Sequence, residues 1–520
     1  MTERPSGRVM IAGTNSGCGK TTVTCAVLAA LVALGKKVVS FKCGPDYIDP
    51  MFHKKATGVE SRNLDIFLMG EQGVVDSVAR HTAGSEIAVM EGVMGLYDGQ
   101  DTTSSASSNH VSLITRTPVL LVADVRGSAL SICAAIQGFL GFEENNIQAV
   151  ILNNTSATSL TFYRQMIEGR LDTEVIGCLP PVPAAHIASR HLGLVTADEI
   201  ADIRGKIKLL AEQALASIDF DALTRIAAKA EALTGGQGAS DQGVDKQEQG
   251  SSDGDGVALG KHRSMPKPRH CGPDPQSFAL PVGAKTDRPA PQPGAAASPQ
   301  VTLGVASDEA FSFFYEDNHD LFKALGAELH FFSPLHDSVL SGQLDGLVLW
   351  GGYPELYAQQ LAANSSMLRS IRAAIATGLP VYAECGGFMY LQQSLTDLGG
   401  ECHQMLGVLP GKVTMTKGLQ NFGYHQIEAR VDNMLCKTGD KINAHFFHHS
   451  TSDCEGEGFV ARRRRGADHF CIVADGNIFA GYQHLHFFGN PDFARNFIDA
   501  CSEHKRKQRA SHGDHEPSGD

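Results

Sequence analysis

Two stretches of this sequence set residue types at spacings that suit chemistry. The first is VMIAGTNSGCGKTTVTCAVLAAL, where an apolar run, a Gly-rich turn, Lys-Thr-Thr and a second apolar run follow one another. Glycines in such a turn let backbone N–H groups face phosphate oxygens, and the helix that follows adds its dipole. Gly13, Gly17 and Gly19 are the candidate cradle. Lys20 would reach the β- and γ-phosphates of ATP, the Thr21 hydroxyl would hold Mg2+, and Thr22 completes the turn. The spacing departs from G-x-x-x-x-G-K-[ST]: Thr14 stands five before Gly19, and the glycine comes one residue earlier, at Gly13. The second stretch is LPVYAECGGFMYL. It runs a strand pattern into Cys385, then two glycines, then a helix pattern. A sharp strand-to-helix turn exposes a thiol and aims a helix N-terminus at it, which favours the thiolate.

Further residues fit around these two centres. In FKCGPDYIDPMFH, Lys42 ends a strand, and Asp46 and Asp49 follow in a Gly/Pro-bounded loop. Loops at the carboxyl ends of parallel strands bind ligands, and two carboxylates beside a phosphate cradle suit Mg2+. In EIAVMEGVMGLYDG, Glu91 closes an apolar strand where an acid meets the metal directly or through water, and Asp98 follows in a Gly-rich loop. Capping and turn roles compete for Asp46, Asp49 and Asp98. Upstream of the cysteine, LDGLVLWGGYPELY ends a strand at Gly351 and Gly352, whose amides can join that of Gly386 in an oxyanion hole. Far downstream, GYQHLHFFGNP offers His484 and His486. A thiolate nucleophile needs an imidazole to take and return a proton, and either histidine can serve. The cluster AHFFHHS at 444–450 receives no chemistry from its composition.

These residues need strands and helices to place them. Candidate strands at Val9–Ala12, Lys37–Phe41, Ile87–Met90, Val119–Ala123, Ala149–Leu152 and Val175–Cys178 alternate with helical patterns such as Thr21–Leu34. Such alternation implies βαβ units and a mainly parallel sheet with helices on both faces. A second α/β unit begins at residue 301, with strands at Leu303–Ala306, Glu328–Phe332, Gly346–Trp350 and Pro380–Ala383 and a more β-rich part from Gly407 to Gln483. Between the units, residues 234–300 contain no Ile, Trp or Tyr, and Phe278 is their only Phe. That composition buries too little apolar surface to offset its ordering entropy, and it reads as a flexible linker. The polar residues after Cys501 are expected to be disordered.

The 520 residues suggest about three domains. Hydrophobic residues make up 42%, enough for ordinary cores, and the net charge of −13 gives nucleic-acid binding no electrostatic support. The basic run Arg462–Arg465 reads as a solvated surface. No apolar stretch is long enough to span a membrane, and none of secretory length precedes the first motif. A cytoplasmic chain with reduced cysteines is expected, since the twelve cysteines form no C-x-x-C pair.

Taken together, SFKCGPDYIDPMFH, SRNLDIFLM, EGVMGLYDG, DEAFSFFYEDN, GGYPELYA, YAECGGFMYL and YQHLHFFGNP resemble the cobyrinic acid a,c-diamide synthases, a family of corrinoid glutamine amidotransferases. The resemblance covers nearly all of 8–230 and 301–495. It implies a dethiobiotin-synthetase-like P-loop ATPase domain at 1–233, which accounts for the shifted glycine. It also implies a class I glutaminase-like α/β domain at 301–500, with the linker at 234–300 and the tail at 501–520. Many class I glutaminases carry a Glu two residues after the catalytic histidine, where this chain has His486. His484 is therefore the expected base and Cys385 the nucleophile, with the third role open. The implied ligands are ATP, L-glutamine, Mg2+ on Thr21, Asp46 and Glu91, and a corrin acid activated near Asp46 and Asp98. The implied reaction is amidation of the a- and c-acetates of cobyrinic acid through acyl phosphates, in cobalamin biosynthesis. Hydrogenobyrinic acid and nickel-sirohydrochlorin are related substrates. A cobyric acid synthase fits the NLD and GPDYID motifs less well. A MinD/ParA-like switch would carry a lysine where Asn15 stands and would leave Cys385 without a purpose. Neither nucleic acid nor a membrane is an expected partner, and a homodimer is left open.

Residues 240–295 are expected to be the first cut in limited proteolysis, and shortening them should leave activity within about twofold. Loss of folding on deletion would show that the segment is structural.

Overall fold

The run Val9–Ala12 is wholly buried because both of its faces are covered. Val9 and Ile11 pack into one cluster with Val23 and Val27, and Met10 and Ala12 into another with Leu68 and Val78. A continuous apolar run is what a parallel strand between two helical layers requires. Val9, Met10 and Ile11 each contribute roughly 1.5–3 kcal/mol through burial.

The structure, a computed structural model, describes residues 6–185, 197, 200–233, 300–462 and 468–513. The expected linker lies outside the described residues, as does all of the basic run beyond Arg462. In the N-terminal unit, β1 (Gly7–Gly13), α1 (Lys20–Ala33), β2 (Val38–Cys43), α2 (Ile48–Thr57), β3 (Arg62–Leu64), α3 (Ile66–Thr82), β4 (Ile87–Glu91), β5 (Val119–Asp124), β6 (Ile147–Asn153) and β7 (Glu174–Leu179) lead the order. The seven strands form one parallel sheet in the order β3-β2-β4-β1-β5-β6-β7. The three-residue β3 is too short to show as an apolar run. α3 is kinked at Gly70, whose φ of 74° lies in the left-handed region.

The C-terminal unit begins with β8 (Val301–Ala306), β9 (Ala327–Phe332), β10 (Gly346–Leu349) and β11 (Val381–Glu384). Its main sheet runs β11-β10-β8-β9 in parallel, with Ile478–Gly481 parallel to β11 and Val473–Asp475 antiparallel at the edge. Two smaller sheets follow, and one of them carries Asn421–Ala429, Lys441–His448 and Gln483–Leu485. Residues 502–513 depart from the expected disorder, since one helix runs from Pro491 to Gly513, and residues 514–520 lie outside the described residues. Phe493, Phe497 and Cys501 recur at helical spacing and are buried in the core of this unit, which carries the helix onward. Lys505 then anchors it to Asp345 at 3.0 Å. Among the described residues no helix is long and apolar enough to cross a membrane.

The two units meet along α3 and the loop before α2. Arg62 donates to Asp320 at 2.8 Å, Asn443 donates to the Phe67 carbonyl at 2.7 Å, and the Arg80 guanidinium lies 4.9 Å over the Phe488 ring. Tyr424 donates to Asp65 Oδ2 at 2.6 Å, while Asp65 Oδ1 caps α3 through the Leu68 amide at 3.0 Å. Burial pushes the Asp65 carboxyl up to about 6, against the pull of Tyr424 and the Leu68 amide. Tyr424→Phe strips a donor from this buried carboxylate and should cost about 1–3 kcal/mol. Urea unfolding checks this, and adding Asp65→Asn should return part of the loss. Additive losses in the double variant would show that the two side chains are not coupled across the interface.

Candidate active site

The turn after β1 is held in shape by backbone that only glycine adopts easily. Gly17 and Gly19 have φ of 80° and 95°. A Cβ on Gly19 would lie 2.0 Å from Asn153 Nδ2, which donates to the Cys18 carbonyl at 2.8 Å and bolts the turn to the end of β6. A Cβ on Gly13 would lie 2.3 Å from Cys18 Sγ and 2.9 Å from Lys20 Cγ, so the shifted glycine makes room for the turn and the lysine stem. Lys20 opens α1 and donates to the Asn15 carbonyl at 3.0 Å. Burial, with Lys42 nearby, lowers its pKa. Thr22 follows on the first turn of α1, half-buried.

Glu91 closes β4 fully buried and gathers three partners. Thr21 donates to it at 2.7 Å, Lys42 at 2.9 Å, and His53 Nε2 lies 2.6 Å away. Burial opposes its charge, but Lys42, His53 and Thr21 hold the carboxyl well below the usual range. Lys42 also pairs with Asp49 at 2.5 Å and donates to the Gly92 carbonyl at 3.2 Å. It is thus a buried partner of these acids. Asp46 Oδ1 caps α2 through the amides of Ile48 and Asp49 at 2.8 and 3.0 Å. Asp98 Oδ2 accepts from the Gly95 amide at 2.7 Å, closing the turn after β4. Thr21 and Glu91, Asp46 in the loop before α2 and Asp49 on its first turn offer oxygen donors of the hard kind that Mg2+ takes.

In the second unit, Cys385 joins β11 to the short helix Gly386–Leu391 with φ 44° and ψ −100°. Such a conformation costs a non-glycine residue of order 1–3 kcal/mol. It is held by the Cys385 amide donating to Gly481 at 2.7 Å and the Met389 amide donating to Cys385 at 2.9 Å. A Cβ on Gly387 would strike the Leu349 carbonyl at 2.1 Å, and one on Gly386 would lie 2.9 Å from the Gly352 amide nitrogen. The glycines therefore let the helix start sit on the end of β10, with the Gly352 and Gly386 backbones side by side. Amides placed in this way can serve a developing oxyanion.

His484 comes from the edge strand Gln483–Leu485 and is buried. Burial opposes its protonation, but pairing with Cys385 and then Glu384 outweighs this and raises it to about 10. The arrangement can hold a thiolate–imidazolium pair. His486 differs. It is fully buried, its ring lies against Tyr315 and Phe488, and burial lowers it to about 4 despite Asp317 at 4.0 Å. In the 444–450 cluster, His445 stands opposite His484 and is lowered to about 3 by burial and His484. His448 stacks on Tyr482 at 3.8 Å.

The loop that carries Asp46 reaches the second centre. Tyr47, between Asp46 and Ile48, lies 5.2 Å from the His484 ring, 4.8 Å from Tyr315 and 5.5 Å from Phe313. Sequence reasoning missed Tyr47, His53, Asn153 and Glu384. Three of them sit inside motifs it had quoted, but Asn153 carries no local signal.

Comparison with known proteins agrees with both halves. Residues 9–195 match the CobQ/CobB/MinD/ParA nucleotide binding domain, and residues 302–492 match the CobB/CobQ-like glutamine amidotransferase domain. A cobyrinate a,c-diamide synthase of Clostridium tetani is 35% identical over 94% of this chain and 99% of its own length. Those of Caldanaerobacter subterraneus and Priestia megaterium are 34% and 33% identical, each over 96% of this chain. A P-loop parallel sheet joined to a glutamine amidotransferase-like unit, with this identity over nearly the whole length, places the chain in the cobyrinate a,c-diamide synthase family.

Proposed function

We propose that this chain amidates the a- and c-acetate carboxylates of cobyrinic acid, taking nitrogen from glutamine and driving each step with ATP. The observation that carries the reading is the contact of Tyr47 with His484, which sets a phosphate cradle and a Cys–His pair against one another in one chain. A carboxylate is a poor electrophile, and hydroxide is a poor leaving group. Attack of the carboxylate oxygen on the γ-phosphorus of ATP expels ADP and makes an acyl phosphate. Ammonia then attacks the acyl carbon, and phosphate leaves. Lys20 and the amides around Gly17 and Gly19 hold the phosphates. Thr21 and Glu91, with Asp46, would hold Mg2+, which supplies charge neutralisation at the transferring phosphoryl group.

Ammonia comes from the second centre. The Cys385 sulfur attacks the γ-amide carbon of glutamine, with the oxyanion held by the amides of Gly352 and Gly386. His484 protonates the departing ammonia, then takes a proton from the water that hydrolyses the thioester to glutamate. Ammonia must reach the acyl phosphate before water protonates it, and Phe313, Tyr315 and His484 are buried where the units meet. Incubation with ATP, glutamine and a panel of tetrapyrrole acids, read by product mass, tests the substrate. The mass shift of two replacements of OH by NH2, a small loss at each, is expected on cobyrinic acid, and an unchanged mass would refute the assignment.

Lys20→Ala should abolish amidation with either glutamine or ammonia, because both need the acyl phosphate. Ammonia-dependent synthesis surviving in that variant would count against the cradle.

Cys385→Ala should lose glutamine-dependent amidation by at least about 1,000-fold while keeping synthesis at high ammonium and alkaline pH. His484→Ala should behave similarly, and His486→Ala should show a smaller defect. Product formation with each nitrogen donor decides. Glutamine use surviving in Cys385→Ala would end the assignment of the nucleophile.

A further inference from the structure

His484 Nδ1 is buried and makes no hydrogen bond, yet Glu384 Oε2 lies 3.5 Å from it. The two side chains are only 3% and 1% exposed, so water does not screen this pair. The other oxygen of Glu384 is fixed from two sides. It accepts from the Leu485 amide at 2.9 Å and from the Tyr382 hydroxyl. The carboxylate is thus anchored by the residue that follows His484, with its second oxygen turned to the imidazole.

Glu384 directly precedes Cys385. In a regular strand, neighbouring side chains point to opposite faces. The φ of 44° at Cys385 breaks that alternation, so acid and thiol address the same ring from consecutive positions. The position two residues after His484 supplies no such acid. His486 there has neither ring nitrogen hydrogen-bonded, and its ring faces Tyr315 and Phe488. The other groups facing His484 are Cys385, His445 across the sheet, His448, and the Tyr47 ring from the first unit. Among the described residues, Glu384 is the carboxylate at ion-pair distance.

We propose that Glu384 is the positioning acid of the glutaminase centre. Resting on the Cys385–His484 reading above, it receives Nδ1–H of His484, leaves the other ring nitrogen to Cys385, and stabilises the imidazolium. The chain thereby obtains the third role from the residue before the nucleophile instead of from one after the histidine. A neutral amide at this position would still fill the space and accept a hydrogen bond, but would lose the charge.

The test is glutaminase kcat/KM against pH for Glu384→Gln in the full chain, with ammonia-dependent amidation at the other centre as the measure of folding. The proposal expects kcat/KM to fall at least about tenfold near neutral pH, with KM for glutamine within about twofold. The reactive imidazolium loses its proton more readily without the carboxylate, so the alkaline limb should move to lower pH. Tyr382→Phe, which removes a donor to Glu384, should move the limb differently from wild type while leaving the core packed. A wild-type kcat/KM and alkaline limb in Glu384→Gln would overturn the proposal. So would loss of both activities in Glu384→Gln together with an undisplaced limb in Tyr382→Phe. Cys385→Ala, run alongside, separates the two readings: if it still uses glutamine, the glutaminase assignment fails whatever Glu384 does.

Discussion

The aromatic seam of Tyr47, Phe313, Tyr315 and His484 is the constraint on which the rest of this molecule depends. A parallel sheet offers its site at the carboxyl ends of its strands, where loops can be shaped without disturbing the core. Two such sheets cooperate only if those ends face each other. Tyr47 lies in the loop after β2, and Phe313 and Tyr315 lie in the loop after β8, so the seam forms between these two ends. Polar contacts through Arg62, Asp65 and Asn443 then fix the angle at which the units meet.

Within each unit, charge is arranged around burial. Glu91 would not remain ionised at zero exposure alone, and it does so because Lys42, His53 and Thr21 converge on it. His484 would be neutral at its depth by burial alone, as His445 and His486 are driven to be. Its pairing with Cys385 and Glu384 reverses that outcome. Neighbouring histidines with opposite fates separate the ring that can exchange protons from those that only pack.

Glycine plays a narrower part than its abundance suggests. At Gly19, Gly386 and Gly387 a side chain would strike an atom that the site needs in place. These three positions bring a helix start close to a strand end, once for phosphate and once for the thiol. The same close approach explains why the two motifs look alike in outline while their chemistry differs.

Sequence by itself determined the parallel-sheet units, the phosphate turn, the cysteine elbow and His484 as a candidate base, because each is written in a local pattern of apolar runs, glycines and one reactive residue. It misjudged residues 502–513, since the helix that buries Phe493, Phe497 and Cys501 runs on into residues whose composition is polar. Only the tertiary structure decided that Lys42 serves Glu91, that His53 completes the buried acid, and that Glu384 rather than His486 faces His484. These partners lie far apart in the chain, 38 residues for His53 and Glu91 and 101 for Glu384 and Leu485. No local periodicity encodes such pairs. They follow from which strand ends the sheets bring together, and from the desolvation that makes a buried charge seek a partner.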